Sequence, residues 1–194
     1  MERSDVIADT SVGGLEACRA LSDATDRMLR GIFDDAVAGE KKADRIALLA
    51  VGGYGRRELA PFSDLDVLLV HDGVKNIADV ASRIWYPIWD AGLKLGHAVR
   101  TPKETLSLCT TDLDTATSLV TARFLAGNES LASEVIAGAA DSWRRAMDRR
   151  RAGSLVPPLG RMTPLRPTGE DAYRSRTDCR RGERTRAPEA SMVM

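Results

Sequence analysis

The stretch from Leu48 to Val70, LLAVGGYGRRELAPFSDLDVLLV, restricts the possible folds more than any other part of this chain. A hydrophobic run at Ile46 to Val51 reads as a buried strand, and Gly52, Gly53 and Gly55 behind it allow a sharp turn. Arg56 to Leu59 are expected to open a helix. A second hydrophobic strand follows, with Asp64 and Asp66 spaced i, i+2 at its start. Strand side chains alternate between faces, so Leu65, Val67 and Leu69 are expected to point into a core, with both carboxylates side by side on the other face. Leu68 and Val70 continue that second face into apolar surroundings, where an unpaired carboxylate is costly.

This arrangement points to particular chemistry. Amides at the start of a helix after a glycine turn are unpaired and lie at the positive end of the helix dipole, which suits phosphate oxygens. Two adjacent carboxylates repel unless a cation lies between them, and oxygen-only ligands favour a hard divalent ion such as Mg2+. The glycines alone decide little: the turn has no Gly-Lys-Ser/Thr of a P-loop and no third glycine of a dinucleotide fingerprint. The ordered set of turn, Arg56, Glu58, Pro61, Ser63, Asp64 and Asp66 carries the reading.

The rest of the chain frames that centre. Apolar residues from Leu15 to Phe33 recur at helical spacing, and Ile77 to Trp89 mark another amphipathic helix. A third strand is expected at Lys94 to Arg100, ended by Thr101-Pro102, with a helix opening at Lys103-Glu104. Further helices are expected at Asp112 to Ala126 and Leu131 to Met147, separated by Gly127-Asn128. The order implies an α/β fold with a small mixed sheet and flanking helices. The organisation read from it is an amphipathic helical segment at 1–44, a core at 45–110, a helical extension at 111–150 and a tail at 151–194.

Charge and composition set this tail apart. The formal net charge is zero, yet residues 144–194 hold 13 basic and 6 acidic side chains against 15 and 22 upstream. Prolines interrupt the Arg-rich tail without apolar periodicity, so it is expected to be disordered. It lacks aromatic interleaving and any recognisable module, so nucleic acid is not an expected partner. The 3 cysteines form no C-x-x-C pair, and the 2 histidines are too few for a metal hydrolase of the HD type, leaving His71-Asp72 as a strand end. No apolar run is long enough to span a membrane and no signal-peptide pattern opens the chain, so the expected location is cytoplasmic.

GGYGRRELAPFSDLDVLLV resembles the nucleotidyltransferase signature of the DNA polymerase β superfamily, in the form found in bacterial PII uridylyltransferase and uridylyl-removing enzymes. WYPIWDAGLKLGHAVRTPKE, from Trp85, and DLDTATSLVTARFLAGN, from Asp112, resemble the segments that follow it. The resemblance covers roughly Arg45 to Met147. It implies a polymerase β-like nucleotidyltransferase core in which Gly52, Gly53 and Gly55, with Arg56 and Ser63 nearby, cradle the triphosphate of UTP, and Asp64 and Asp66 hold Mg2+. The implied reaction transfers UMP to a tyrosine of the PII signalling protein and releases pyrophosphate.

Two departures accompany the resemblance. The strand at Lys94 to Arg100 carries no third acid; His97 and Arg100 stand there instead. The hydrolase and sensor domains of the full-length enzymes are not expected in this sequence, and the unpatterned tail is read as disordered or as the product of a truncation or frameshift. The alternative functions are an inactive remnant, a nucleotide-binding signalling protein, or a related transferase with another base preference.

Overall fold

β1 (Ile46–Ala50) lies in the middle of the molecule, and all five of its residues are fully buried. Alternation sends Ile46, Leu48 and Ala50 to one face of the sheet and Ala47 and Leu49 to the other, so both faces must be covered. The computed structural model describes residues 2–152. The disordered or frameshifted tail expected from the sequence lies outside the described residues.

The sheet is mixed, with strand order β3-β2-β1-β4. β1 pairs antiparallel with β2 (Leu65–His71) and, on its other edge, with β4 (Arg123–Gly127), while β3 (Leu95–Arg100) runs parallel to β2. Two helices cover the first face. These are α2 (Gly14–Val37), through Leu29 and Phe33, and α4 (Ile77–Asp90), through Ile84 and Ile88. Helix α1 (Arg3–Ala8) adds Val6 to the same core. The second face is covered by α6 (Leu113–Val120) and α7 (Glu129–Ala152), through Leu119, Leu131 and Val135, with α5 (Pro102–Thr111) alongside. This is the mixed-sheet α/β fold with flanking helices that the sequence implies.

Several elements fall where the pattern places them. The strand expected at Lys94 to Arg100 is β3, and Thr101-Pro102 does end it. Pro102 then becomes the first residue of α5, whose start is closed by a capping box between Thr101 and Glu104. His71 is the last residue of β2, so His71-Asp72 is a strand end.

Two expectations need correction. The helix expected at Asp112 to Ala126 stops at Val120, and its second half is β4. Phe124, Leu125 and Ala126 are apolar enough for either period; the open edge of β1 decides for the strand, since unpaired β1 backbone groups would otherwise be buried. Gly127, at φ +90°, then lets the chain leave the sheet. The helix expected from Arg56 instead occupies Gly52–Gly55 as a single turn, α3, with Arg56 as its C-terminal cap, and the next residue, Arg57, has a φ of +61° in the left-handed region.

Leu49→Ala should cost about 2–5 kcal/mol in urea unfolding, the usual range for a cavity in a closed core, whereas Leu113→Ala, 62% exposed, should stay within about 0.5 kcal/mol. Equal losses would show that β1 is not the buried centre of the fold.

Candidate functional site

Asp64 immediately precedes β2 and Asp66 is its second residue. Leu65, Val67 and Leu69 belong to the α2–α4 side, and Leu68 and Val70 to the α6–α7 side, so both aspartates lie on the α6–α7 side by alternation. The Val51 amide donates to the Asp66 carbonyl at 3.0 Å, which carries the β1–β2 pairing up to the glycine turn. The turn and the D-x-D pair are therefore adjacent at one end of the sheet. Asp64 is exposed and Asp66 half-buried.

The Asp66 carboxylate sits between two glycines. A Cβ on Gly52, at φ +59°, would lie 3.3 Å from Oδ2, and one on Gly96 would lie 2.3 Å from Oδ1. Gly96 is the register partner of Asp66 on β3. Any side chain there would occupy the space of the carboxylate, so Gly96 fixes where Asp66 can point. Burial first, and then the charge of Asp64, raise the Asp66 carboxyl above its ordinary pKa.

Along the same face runs a groove of about 350 Å³. Asp66 and Gly96 lie at one end; Leu68, Ala98 and Leu119 give it apolar walls; Arg100, Asp114 and Ser118 supply polar groups. Asp114 and Ser118 come from α6. Among the described residues, no group of three or more His, Cys, Asp or Glu side chains is placed to hold a metal. Asp64 and Asp66 are the two carboxylates at the start of β2, at this end of the sheet.

The other residues named from the sequence lie around this pair in different settings. Gly52 and Gly53 are half-exposed at the turn, Gly52 against Asp66 and Gly53 beside the Arg56 guanidinium. Gly55 is buried, and its Cβ position lies 2.3 Å from the Thr121 carbonyl oxygen, so its lack of a side chain serves packing of the turn against the end of α6. Arg56 is exposed and pairs with Glu58, Nε to Oε2, at 2.7 Å. The Ser63 hydroxyl accepts from the Ala60 amide at 3.1 Å and donates to the Ala60 carbonyl at 3.0 Å, closing the loop before Asp64.

His97 alternates with Gly96 and Ala98, so it points to the opposite face. There its ring lies 5.2 Å from Trp85 and 5.7 Å from Trp89 of α4. Asp72 lies at the far end of β2 and pairs with Arg45 at 3.6 Å. Neither joins the Asp64–Asp66 pair. Sequence reasoning missed Gly96, Asp114 and Ser118. A glycine inside a strand often marks a close approach, and that signal was available for Gly96. Nothing local marked the two α6 residues.

Comparison with known proteins bears on this geometry. The chain is 46% identical over 120 residues to the bifunctional uridylyltransferase/uridylyl-removing enzyme of Mycobacterium tuberculosis, covering 61% of this chain and 15% of that one. Over that stretch the chain is similar to these uridylyltransferases. The enzyme of the same name from Streptomyces coelicolor is 43% identical over 134 residues, 68% of this chain and 16% of the other. That of Phenylobacterium zucineum is 40% identical over 136 residues, 66% and 14%. The chain thus spans about 15% of the length of these uridylyltransferase relatives. No family model matches it. Two solved toxin–antitoxin structures, one with AMP-PNP, overlay with TM-scores of 0.42 and 0.39 at 10% and 13% identity, covering 66% and 63% of this chain and 93% of each of theirs. At those scores the overlays decide nothing about the site. No helix among the described residues is long and apolar enough to cross a membrane.

The raised Asp66 carboxyl has a consequence for stability. A carboxyl raised in the folded state opposes folding above its folded pKa, and the penalty disappears below its unfolded value near 3.9. In metal-free buffer Asp66→Asn should therefore melt higher than wild type at pH 7, and the gap should close as the pH falls through the carboxylate range. Identical Tm values at pH 7 would show that Asp66 is not held against its own charge. Gly96→Ala should displace Asp66, read as loss of this pH-dependent gap between Gly96→Ala and its double mutant with Asp66→Asn.

Proposed function

We propose that this chain is a nucleotidyltransferase unit that binds UTP with a divalent cation and transfers UMP to a tyrosine of the PII signalling protein. The observation that carries the reading is the D-x-D pair standing beside the glycine turn, with Asp66 lining the groove. The similarity to enzymes named uridylyltransferase supports the choice of reaction.

The residues fit a hard divalent ion. Both donors are carboxylate oxygens, one is raised by burial and by its neighbour's charge, and Mg2+ is commonly held by one or two carboxylates together with substrate phosphates. Two protein ligands are therefore enough. When bound, such an ion would offset negative charge on the transferring phosphoryl group and on the leaving pyrophosphate.

The remaining work falls to the chain itself. The amides of Gly52 and Gly53 face the phosphates, since a first-turn amide has no partner inside the helix. The groove takes the nucleoside: Leu68, Ala98 and Leu119 offer an apolar surface to the base, with Arg100, Asp114 and Ser118 in reach of polar groups on base and ribose. The tyrosine hydroxyl of the acceptor gives up its proton to solvent as its oxygen bonds to the α-phosphorus, the bond from that phosphorus to the α–β bridging oxygen breaks, and pyrophosphate departs. Positioning and electrostatics supply most of the acceleration in such a displacement.

Calorimetric titration with UTP, ATP, CTP and GTP in Mg2+ should show selective UTP binding that the Asp64→Asn, Asp66→Asn double mutant loses. In a transfer assay with PII protein, either single change should lower the rate by about 10²–10³-fold, the typical loss for one electrostatic stabiliser. A folded wild type that binds no nucleotide would overturn the proposal. Preference for another base would keep the transferase and overturn its substrate.

A further inference from the structure

The glycine turn is held from behind by a buried ionic cluster. Asp26 of α2 is only 4% exposed. Its Oδ1 accepts from the Tyr54 hydroxyl at 2.7 Å, and its two carboxylate oxygens take the Arg123 guanidinium in a fork, Nη1 to Oδ2 at 2.5 Å and Nη2 to Oδ1 at 3.0 Å. Arg123 Nη2 also reaches the Tyr54 carbonyl at 3.5 Å, and its guanidinium carbon lies 5.5 Å from the centre of the Tyr54 ring. Arg30 approaches Asp26 at 3.9 Å and donates from Nε to the Leu125 carbonyl at 2.9 Å, tying α2 to β4. Thus two elements distant in sequence, α2 and β4, converge on the third residue of the Gly52–Gly55 turn.

Further contacts make the hold directional. The Thr121 hydroxyl donates to the Gly52 carbonyl at 3.2 Å, and Arg57 pairs with Asp23 of α2. Gly52 in turn abuts Asp66. A buried ion pair contributes little net stability over well-packed apolar residues, because removing both charges from water offsets their attraction. What a bidentate guanidinium–carboxylate pair does supply is fixed geometry.

We infer that Asp26, Tyr54 and Arg123 are positioning residues of the phosphate-binding turn: they touch no substrate, and they set the Gly52 and Gly53 amides against the Asp64–Asp66 pair. The inference rests on the turn binding phosphate, as proposed above. Two predictions separate it from a general structural role. Loss of the hold should weaken Mg2+-dependent binding of inorganic tripolyphosphate and of UTP by the same factor, because the phosphate cradle is what moves. It should also exceed the effect of an equally destabilising change elsewhere.

The test uses the full chain with Tyr54→Phe, which removes one hydroxyl, Arg123→Lys, which keeps the charge but loses the fork, and Asp26→Asn. Ile84→Ala, in α4 on the face of the sheet that α2 also covers but outside the Asp26 cluster, serves as the control of lowered Tm. Affinities for both probes are measured by calorimetry and folding by circular dichroism. Tyr54→Phe and Arg123→Lys should each weaken both probes by about tenfold or more, in the range that misplacing a binding group produces, while Ile84→Ala leaves affinity near wild type below its Tm. Variants that bind like Ile84→Ala at matched stability would overturn the positioning role and leave the transferase reading intact. Wild type binding neither probe would overturn both.

Discussion

The central position of β1 is the constraint on which the other elements depend. It is hydrogen-bonded on both edges and covered on both faces, so its partners and its covering helices have little freedom. Pairing Ala50 with Val67 on one edge and with Arg123 on the other brings the start of β2 and the start of β4 to the same end of the sheet. The glycine turn leaves β1 at that end. The carboxylate pair, the turn and the buried Asp26 cluster therefore meet because one strand fixes the register of two others.

At that end, stability and chemistry pull in opposite directions. Asp66 is held partly out of water, beside another acid, between two glycines that forgo side-chain packing. Each feature costs folding free energy in isolation. The apolar surfaces of both cores lie beyond it, and the turn is anchored by the Asp26 fork, so the surrounding structure is rigid enough to keep the carboxylate where it is. On the proposed reading, a bound cation would bring the positive charge that relieves this tension.

Much of the fold was legible because its elements have strong local patterns. The alternation of Leu65, Val67 and Leu69 against Asp64, Asp66 and Leu68 placed β2 and its faces, and Thr101-Pro102 placed the boundary between β3 and α5. The segment Ala122 to Ala126 was not legible, because Phe124, Leu125 and Ala126 suit a helix face and a strand equally; its state was set by the free edge of β1. The motif residues were legible as a set, but their individual settings were not. Gly55 and Ser63 look like neighbours of a ligand in the sequence, yet one is packed under Thr121 and the other closes its own loop.

The sequence by itself determined the glycine turn, the two carboxylates on one strand face, and the helical and extended periods around them, since these depend on side-chain spacing within a few residues. Tertiary structure alone decided that Gly96 brackets Asp66, that Asp114 and Ser118 wall the groove, that His97 faces away, and that Asp26 and Arg123 grip Tyr54. Those relations join residues from separate elements. Their energies come from desolvation and close approach after the sheet has formed, and beyond the strand glycine at Gly96 local spacing does not record them.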